Sequence, residues 1–585
     1  MGLRICLVTP FAWSQPHDVN EHVGGAAAAL RRLGHEVTIL APSNRAADLT
    51  AGRRALRRLE RYGRPLQGLV ALGPAIPVSR RSRLGVPVGA RANLMLALTR
   101  GGFDVIHAHE PALPSLSYLA LREARALAVA TFHSPERIAY PPGKAQRERL
   151  LARIDVLSAT GEEAVAAAHE RFPGDYRVLP GGVDTELFRP GADRRRFVVE
   201  WHPDERPIAR AAMRALRSLP EWELVLMRTR PLTGRPYVPR AVRERVSVKT
   251  ALDARVRAEI LRGAAGFVPA AAGSPRARLE ALSSGVPLIS PPGLAEQPDL
   301  VGAAMARFAD DDSFRGKMSE SARGSAEQQS FAALGEELDR LYSSILGRRR
   351  SQLRLDPLDD RPWILCDLHL HTEHSYDCSV PVADLLEHAE ALGLGGIAVT
   401  DHNALAGALE AAELARGRPL IVISGEEVKT DQGEVIGLFL SEEIPAGLSM
   451  AATSAAIRDQ GGLVYLPHPF DRLHMIPDAT TLHRLLPDID VLEVYNARLL
   501  FDAYNDEAFR FAGKYNLLMG AGSDAHVLQG VGTGSVRMRA FESPEEFLLS
   551  LRSAEIVRRP KSLLYLQGLK WVAQARERRA KAAVR

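Results

Sequence analysis

Histidines and acidic residues stand at the ends of apolar runs in one part of this chain, an arrangement suited to holding metal ions. The richest stretch, Cys366–Asp377, reads C-D-L-H-L-H-T-E-H-S-Y-D and follows the apolar Trp363, Ile364 and Leu365. It predicts a strand that runs into a loop. Side chains on a strand alternate between faces, so His369 and His371 point the same way, with Asp377 a short loop away. Two imidazoles and a carboxylate converging at a strand end can hold a transition metal. A lone H-x-H means little. This one is accompanied by T-D-H-N at Thr400–Asn403, G-E-E at Gly425–Glu427, P-H-P at Pro467–Pro469 and S-D-A-H at Ser523–His526.

The elements expected to position these groups are short strands. His402 follows a predicted strand at 396–400, Glu427 one at 420–424, His468 one at 463–466, and Asp524 and His526 one at 517–520. In a parallel barrel or sheet the C-terminal strand ends gather on one face, which would collect these groups. Glu434 stands at the start of the run 435–440 and fits that geometry least well. Cys378, next to Asp377, is expected to be a bystander thiol, with contact to a metal as the alternative.

The 585 residues are too many for one core and allow three or four units at roughly 150 residues each. Composition is that of an ordinary soluble protein, 46% hydrophobic and 25% charged. No apolar run reaches the roughly 20 residues of a membrane span, and no signal-like segment precedes the strand-like Ile5–Val8. Three cysteines make no disulfide framework, which fits a reducing cytoplasm, and a peripheral place at the inner membrane face is a further expectation. The formal charge of +5 is concentrated in the segment 561–585, with seven Lys/Arg and one acid, Glu577. The rest is close to neutral, so a nucleic-acid-coating body is not indicated. The basic segment reads most simply as a solvated helix end, with contact to anionic lipid or nucleic acid as the alternative.

Strand-like and helical patterns alternate along most of the chain, the mark of α/β architecture. Strands are expected at 4–10, 35–42, 104–109, 127–133, 155–158 and 176–179, completing a Rossmann-like half over 1–190. A second half, 191–346, carries strands at 223–227, 246–248, 266–268 and 287–290 and closes with a helical segment at 325–346. The polar, proline-bearing stretch 347–362 reads as a linker. A third unit spans 363–560, followed by the basic tail 561–585.

The third unit resembles the polymerase-and-histidinol-phosphatase (PHP) family of metal-dependent phosphoesterases. D-L-H-L-H-T, the loop aspartate, T-D-H-N, G-E-E, P-H-P and S-D-A-H occur in the family's order. The resemblance implies a distorted (β/α)7 barrel holding two or three divalent metals such as Mn, Fe or Zn. Its ligands carry over to His369, His371, Asp377, His402, Glu427, Glu434, His468, Asp524 and His526. Some members have His where Glu434 stands, and a carboxylate there favours a harder metal such as Mn²⁺. Asp401 is expected to orient an imidazole. Paired metals polarise a phosphoryl oxygen, activate water and clamp the attacking and leaving oxygens. Arg472 and Arg498 are the candidate phosphate holders, with surface salt bridges as their alternative. His374 and Tyr376 are candidates to face substrate or to be solvated loop positions.

Residues 1–350 resemble a GT-B glycosyltransferase of the retaining family-4 kind, such as bacterial mannosyltransferases of phosphoinositide synthesis. The motifs are R-I-C-L-V-T-P-F at 4–11, L-G-H-E-V-T-I-L-A-P at 33–42, D-V-I-H-A-H-E-P at 104–111, A-T-F-H-S at 130–134 and V-L-P-G-G-V-D-T-E-L-F at 178–188. The resemblance implies a nucleotide sugar in the cleft and places His133 near the sugar; a buried structural histidine is the alternative. The donor-site residues are depleted. Where the family has G-R-x4-K-G, this chain reads E-W-H-P-D-E-R-P over Glu200–Pro207, with Trp201 for the arginine and Arg206 as stand-in for the lysine. The E-x7-E pair keeps Glu280, but its first position is Ala272, and the acceptor-side G-G-V loop reads His17–Val19, H-D-V. Arg276 and Arg278 could rebuild an anion site.

The expected function is therefore a metal-dependent phosphoesterase acting on a small phosphorylated substrate, fused to a glycosyltransferase-like module with a weakened donor site. The alternatives are a working glycosyltransferase with an attached phosphatase in glycolipid or polysaccharide synthesis, a PHP exonuclease, and a non-catalytic assembly protein.

Overall fold

A computed structural model describes residues 2–77, 83–84, 89–229, 236–271, 275–294, 296–350, 358–562 and 564–571. The chain forms two compact units. One comprises Met1–Glu123, Ala128–Leu150 and Ile154–Ser344; the other comprises Ala124–Leu127, Leu151–Arg153 and Ile345–Arg585. No helix among the described residues is long and apolar enough to cross a membrane.

The first unit holds two sheets. The larger, seven-stranded among the described residues, runs in the order Gly68–Ala71, Glu36–Ala41, Arg4–Val8, Val105–His109, Leu127–Phe132, Val156–Ala159, Tyr176–Val178. Its central strands are near-continuous apolar runs because helices cover both faces, as parallel sheets require. Ile5, Leu7 and Val8 are fully buried. The strand order reverses between Arg4–Val8 and Val105–His109, which opens a crevice at their C-terminal ends. The edge strand Gly68–Ala71 had no sequence expectation. It is four residues long and only half-buried at its start, so it lacks a distinctive apolar signature.

The smaller sheet is four-stranded among the described residues and parallel throughout: Val246–Thr250, Glu223–Arg228, Arg196–Glu200, Gly266–Val268. The run 287–290, expected as a strand, reduces to a single bridge between Phe267 and Leu288. The expected helix over 325–346 is in fact two, Asp312–Glu327 and Phe331–Leu346. Ser330 ends the break by accepting from Ala333 N at 3.1 Å. The second of these helices packs on the larger sheet's layer, where the Tyr342 hydroxyl lies 2.7 Å from His107 Nδ1.

The second unit is a mixed sheet of nine strands among the described residues. The order is Leu518–Gly522, Val491–Asn496, Leu463–Leu466, Gly433–Leu438, Ile421–Thr430, Gly396–His402, Trp363–Leu370, Gly534–Arg539, Glu555–Arg558. A parallel bridge between Leu370 and Ala525 brings the chain after Leu518–Gly522 back beside Trp363–Leu370, so the sheet curls nearly closed. Along Trp363–Leu370 the register against Gly396–His402 shifts between Asp367 and Leu370. Cys366 and Leu368 enter an apolar cluster with Ala398, Ile423, Ile436 and Phe547, while His369 lies on the other face. Gly433–Leu438 runs antiparallel to both neighbours. Its start therefore lies where the parallel strands end, with Glu434 opposite Lys429. That inversion removes the misfit expected for Glu434.

Candidate metal centre

The cluster is built around Glu427. This residue lies within the strand Ile421–Thr430, three residues before its end at Thr430, not beyond a shorter strand as the sequence suggested. One carboxylate oxygen lies 3.2 Å from His369 Nε2, 3.2 Å from His402 Nδ1 and 3.4 Å from His371 Nε2. The other lies 3.1 Å from His468 Nε2. Glu434 stands 3.9 Å from His402 Nδ1 and 3.7 Å from His468 Nε2. Asp377 reaches His526 Nε2 at 2.9 Å and His402 Nε2 at 3.8 Å, and Asp524 lies 3.4 Å from His371 Nε2. All nine expected ligands thus converge. Ligand atoms of His371, His402 and His526, of His369, His468 and Asp524, and of His402, Glu427 and Glu434 fall within 4.8 Å of one another.

The donor set fits metal ions, and the supporting hydrogen bonds say why. Ser375 Oγ donates to Asp401 at 2.9 Å, so it accepts the Nδ1 hydrogen of His371 at 3.0 Å. That leaves His371 Nε2 as a bare lone pair, buried and without a hydrogen-bond partner, aimed between Glu427 and Asp524. Glu493 takes the Nδ1 hydrogen of His369 at 3.1 Å and turns its Nε2 inward. Fixing the outer nitrogen in this way is how proteins orient metal-binding imidazoles. His468 and Asp524 hold φ of +25° and +51°, a cost that persists where the surroundings over-determine a site.

The electrostatics follow from the crowding. Burial works against a charged Glu427, yet His369, His468 and His402 hold its carboxyl well below the usual range. Burial likewise opposes charge on Asp524, and Arg498 and His369 hold it well below the usual range. Burial favours neutral rings, but Glu427 and Glu493 lift His369 well above its ordinary value and His468 to about 9. For His371 burial wins, helped by His526, and it falls to about 3.

The other expected residues divide. Arg498 enters the cluster, its Nη1 3.0 Å from Asp524 and 3.1 Å from His526 Nδ1. Tyr376 stacks on His402 with ring centroids 5.1 Å apart and stays 81% exposed. Arg472 is half-buried in the loop after His468. His374 pairs outward with Glu410 at 2.9 Å. Asp401 is buried and accepts from Thr372 N and Oγ1, both at 2.6 Å, as well as from Ser375. It therefore reaches His371 only through Ser375, not by direct contact with a ring. Burial pushes the Cys378 thiol up to about 12, and its Sγ faces the backbone oxygens of His371 and His526. Two positioning residues, Glu493 and Ser375, went unread. Glu493 was detectable as the one acid inside the apolar run V-L-E-V-Y.

In the first unit His133 Nε2 lies 2.9 Å from His109 Nδ1, and the His22 ring stands 4.8 Å from that of His133. Burial lowers all three, so they are neutral imidazoles. The donor-site candidates are otherwise engaged. Arg257 grips Glu280 with two hydrogen bonds, of 2.6 and 2.7 Å, and Glu21 with a third of 2.7 Å. Arg276 also pairs with Glu21, at 3.3 Å, and Arg278 donates to Ala270 O at 3.1 Å. Glu200 and Glu205 accept from the backbone N–H groups of Ala270 and Ala271. Trp201 is buried under Arg228, and Arg206 is exposed at the start of the helix Arg206–Ala215. His17 caps the helix Asp18–Arg32, accepting from Val19 N. Ala272 lies outside the described residues.

Family profiles match two separate regions of the chain. Residues 19–187 match the profile of Glycosyltransferase Family 4, residues 367–511 that of the PHP domain and residues 502–556 that of the PHP-associated family. An uncharacterised protein of Methanocaldococcus jannaschii is 35% identical over 211 residues, 34% of this chain and 84% of that protein. A phosphatidyl-myo-inositol mannosyltransferase of Propionibacterium freudenreichii is 33% identical over 186 residues, 31% of this chain. The match spans 46% of that enzyme's own length. A glycosyltransferase structure from Rickettsia africae aligns with 59% of this chain and 99% of its own at 14% identity, with a TM-score of 0.42. The chain belongs to the PHP family through its second unit and joins it, in one polypeptide, to a Glycosyltransferase Family 4 region.

Proposed function

We propose that the second unit is a metal-dependent phosphoesterase that hydrolyses a small phosphate ester, and that the first unit is a glycosyltransferase-like module with a weakened donor site. The observation that carries the first part is the convergence of nine His, Asp and Glu side chains in one cluster, Glu427 at its centre. When bound, divalent metals would supply Lewis acidity and an activated water. The chain's own residues do the rest. His369, His371, His402, His468, His526, Asp377, Asp524, Glu427 and Glu434 would hold the metals. Glu493 and Ser375 keep two of the rings in the tautomer that presents Nε2. Arg498, fixed by Asp524, offers its remaining N–H groups to a phosphate oxygen. The Asp401–Ser375 pair holds the loop that carries Asp377.

The second part rests on Glu280. A carboxylate clasped by Arg257 on both oxygens is not free to take a ribose, and Glu200 and Glu205 oppose a diphosphate. The experiment has two arms on the full chain. Phosphate release from p-nitrophenyl phosphate is measured with Mn²⁺ and after chelation; activity lost with the metal supports the reading. Calorimetry with UDP- and GDP-sugars tests the donor cleft. Tight binding followed by transfer to an acceptor would reinstate a working glycosyltransferase.

A further inference from the structure

The basic segment after residue 560 has no part in the reading above, yet the structure puts one of its residues into the site. Residues 564–571 form a helix in which Leu564, Tyr565 and Trp571 are 88%, 54% and 66% exposed, while Lys570 is only 9% exposed. This reverses the usual partition, in which lysine is left in water and apolar groups are covered. The cause is an ion pair: Lys570 Nζ lies 2.8 Å from Asp377 Oδ2. That same oxygen lies 2.9 Å from His526 Nε2. Arg498 stands 3.1 Å from His526 Nδ1. Two cations from distant parts of the chain therefore flank the same part of the cluster, Lys570 on Asp377 and Arg498 on His526.

A lysine ammonium has three donors and no acceptor, and it is a compact point charge. One hydrogen on Asp377 leaves two to give. A phosphate bound on the cluster beside Asp377 and His526 would lie within reach of this ammonium. We propose that Lys570 is a substrate-binding residue of the metal centre, donating to a non-bridging phosphate oxygen across from Arg498. The helix 564–571 is then a part of the active site and not a solvated end. This inference rests on the phosphoesterase reading.

The test uses the full chain loaded with Mn²⁺ and inorganic phosphate as the probe, with affinity read by calorimetry and metal content by elemental analysis. Lys570→Ala should keep its metals and bind phosphate about 10- to 100-fold more weakly, the worth of one charge-assisted hydrogen bond. Lys570→Arg should recover part of the loss. With p-nitrophenyl phosphate, Lys570→Ala should raise KM more than it lowers kcat. If Lys570→Ala binds phosphate as the parent does, the ammonium is only a partner of Asp377 and the inference falls. If the parent chain takes up no metal or binds no phosphate, the phosphoesterase reading falls first and takes this inference with it.

Discussion

Glu493 accepts the Nδ1 hydrogen of His369 at 3.1 Å, and both side chains are fully buried. The same carboxylate takes the backbone N–H of His468 at 2.8 Å. One acid thus fixes two ligands at once. Glu493→Gln keeps the shape but loses the charge that favours an Nδ1–H tautomer. Metal affinity should fall about 10- to 100-fold, measured by competition with a chelator of known affinity. Unchanged affinity would show that the ring is oriented by packing alone.

Metal uptake should release protons. Without metal, burial disfavours charged rings, yet Glu427 and Glu493 keep His369 protonated well above its ordinary value and His468 up to about 9. At neutral pH both rings carry a proton that a metal must displace. Affinity should therefore rise with pH through the range, up to about 9, in which His468 loses its proton. Calorimetry in buffers of different ionisation enthalpy reads the proton count directly, and a pH-independent affinity would contradict it.

Gly522 is needed for its missing side chain. A Cβ there would lie 2.2 Å from His369 Cβ and 3.0 Å from the Glu493 carboxylate. Gly522→Ala should push the His369 strand from its neighbour, destabilise the second unit by about 1–3 kcal/mol and cut metal content. Thermal unfolding and elemental analysis check the two effects separately.

The donor cleft should depend on Arg257 for stability. Its side chain is 6% exposed and bonded to Glu21 and Glu280. Arg257→Ala takes both hydrogen bonds from the fully buried Glu280 and leaves Glu21 with Arg276, and should destabilise the first unit by about 3–5 kcal/mol in denaturant unfolding. A near-neutral outcome would mean that water enters the cleft and solvates Glu280.

The converging His, Asp and Glu side chains could be read from sequence because their rule is local. An apolar run followed by His, Asp or Glu marks a strand end, and parallel strand ends share a face. What stayed hidden depends on contacts between distant residues. The antiparallel direction of Gly433–Leu438, which brings Glu434 into the cluster, is a property of the sheet. Glu493 meets His369 across 124 residues, and Lys570 meets Asp377 across 193. In the first unit, the short edge strand Gly68–Ala71 has no local signature, and the clasp of Arg257 on Glu280 joins residues 23 apart in sequence.

The most direct test is metal content and phosphate release measured together on the parent chain and on His371→Ala. His371 Nε2 is the buried lone pair aimed between Glu427 and Asp524. The phosphoesterase reading predicts that the parent binds at least two divalent metals and hydrolyses p-nitrophenyl phosphate, and that His371→Ala, still folded, loses metal and activity together. A variant that retains full metal content and the parent's rate of phosphate release would contradict it.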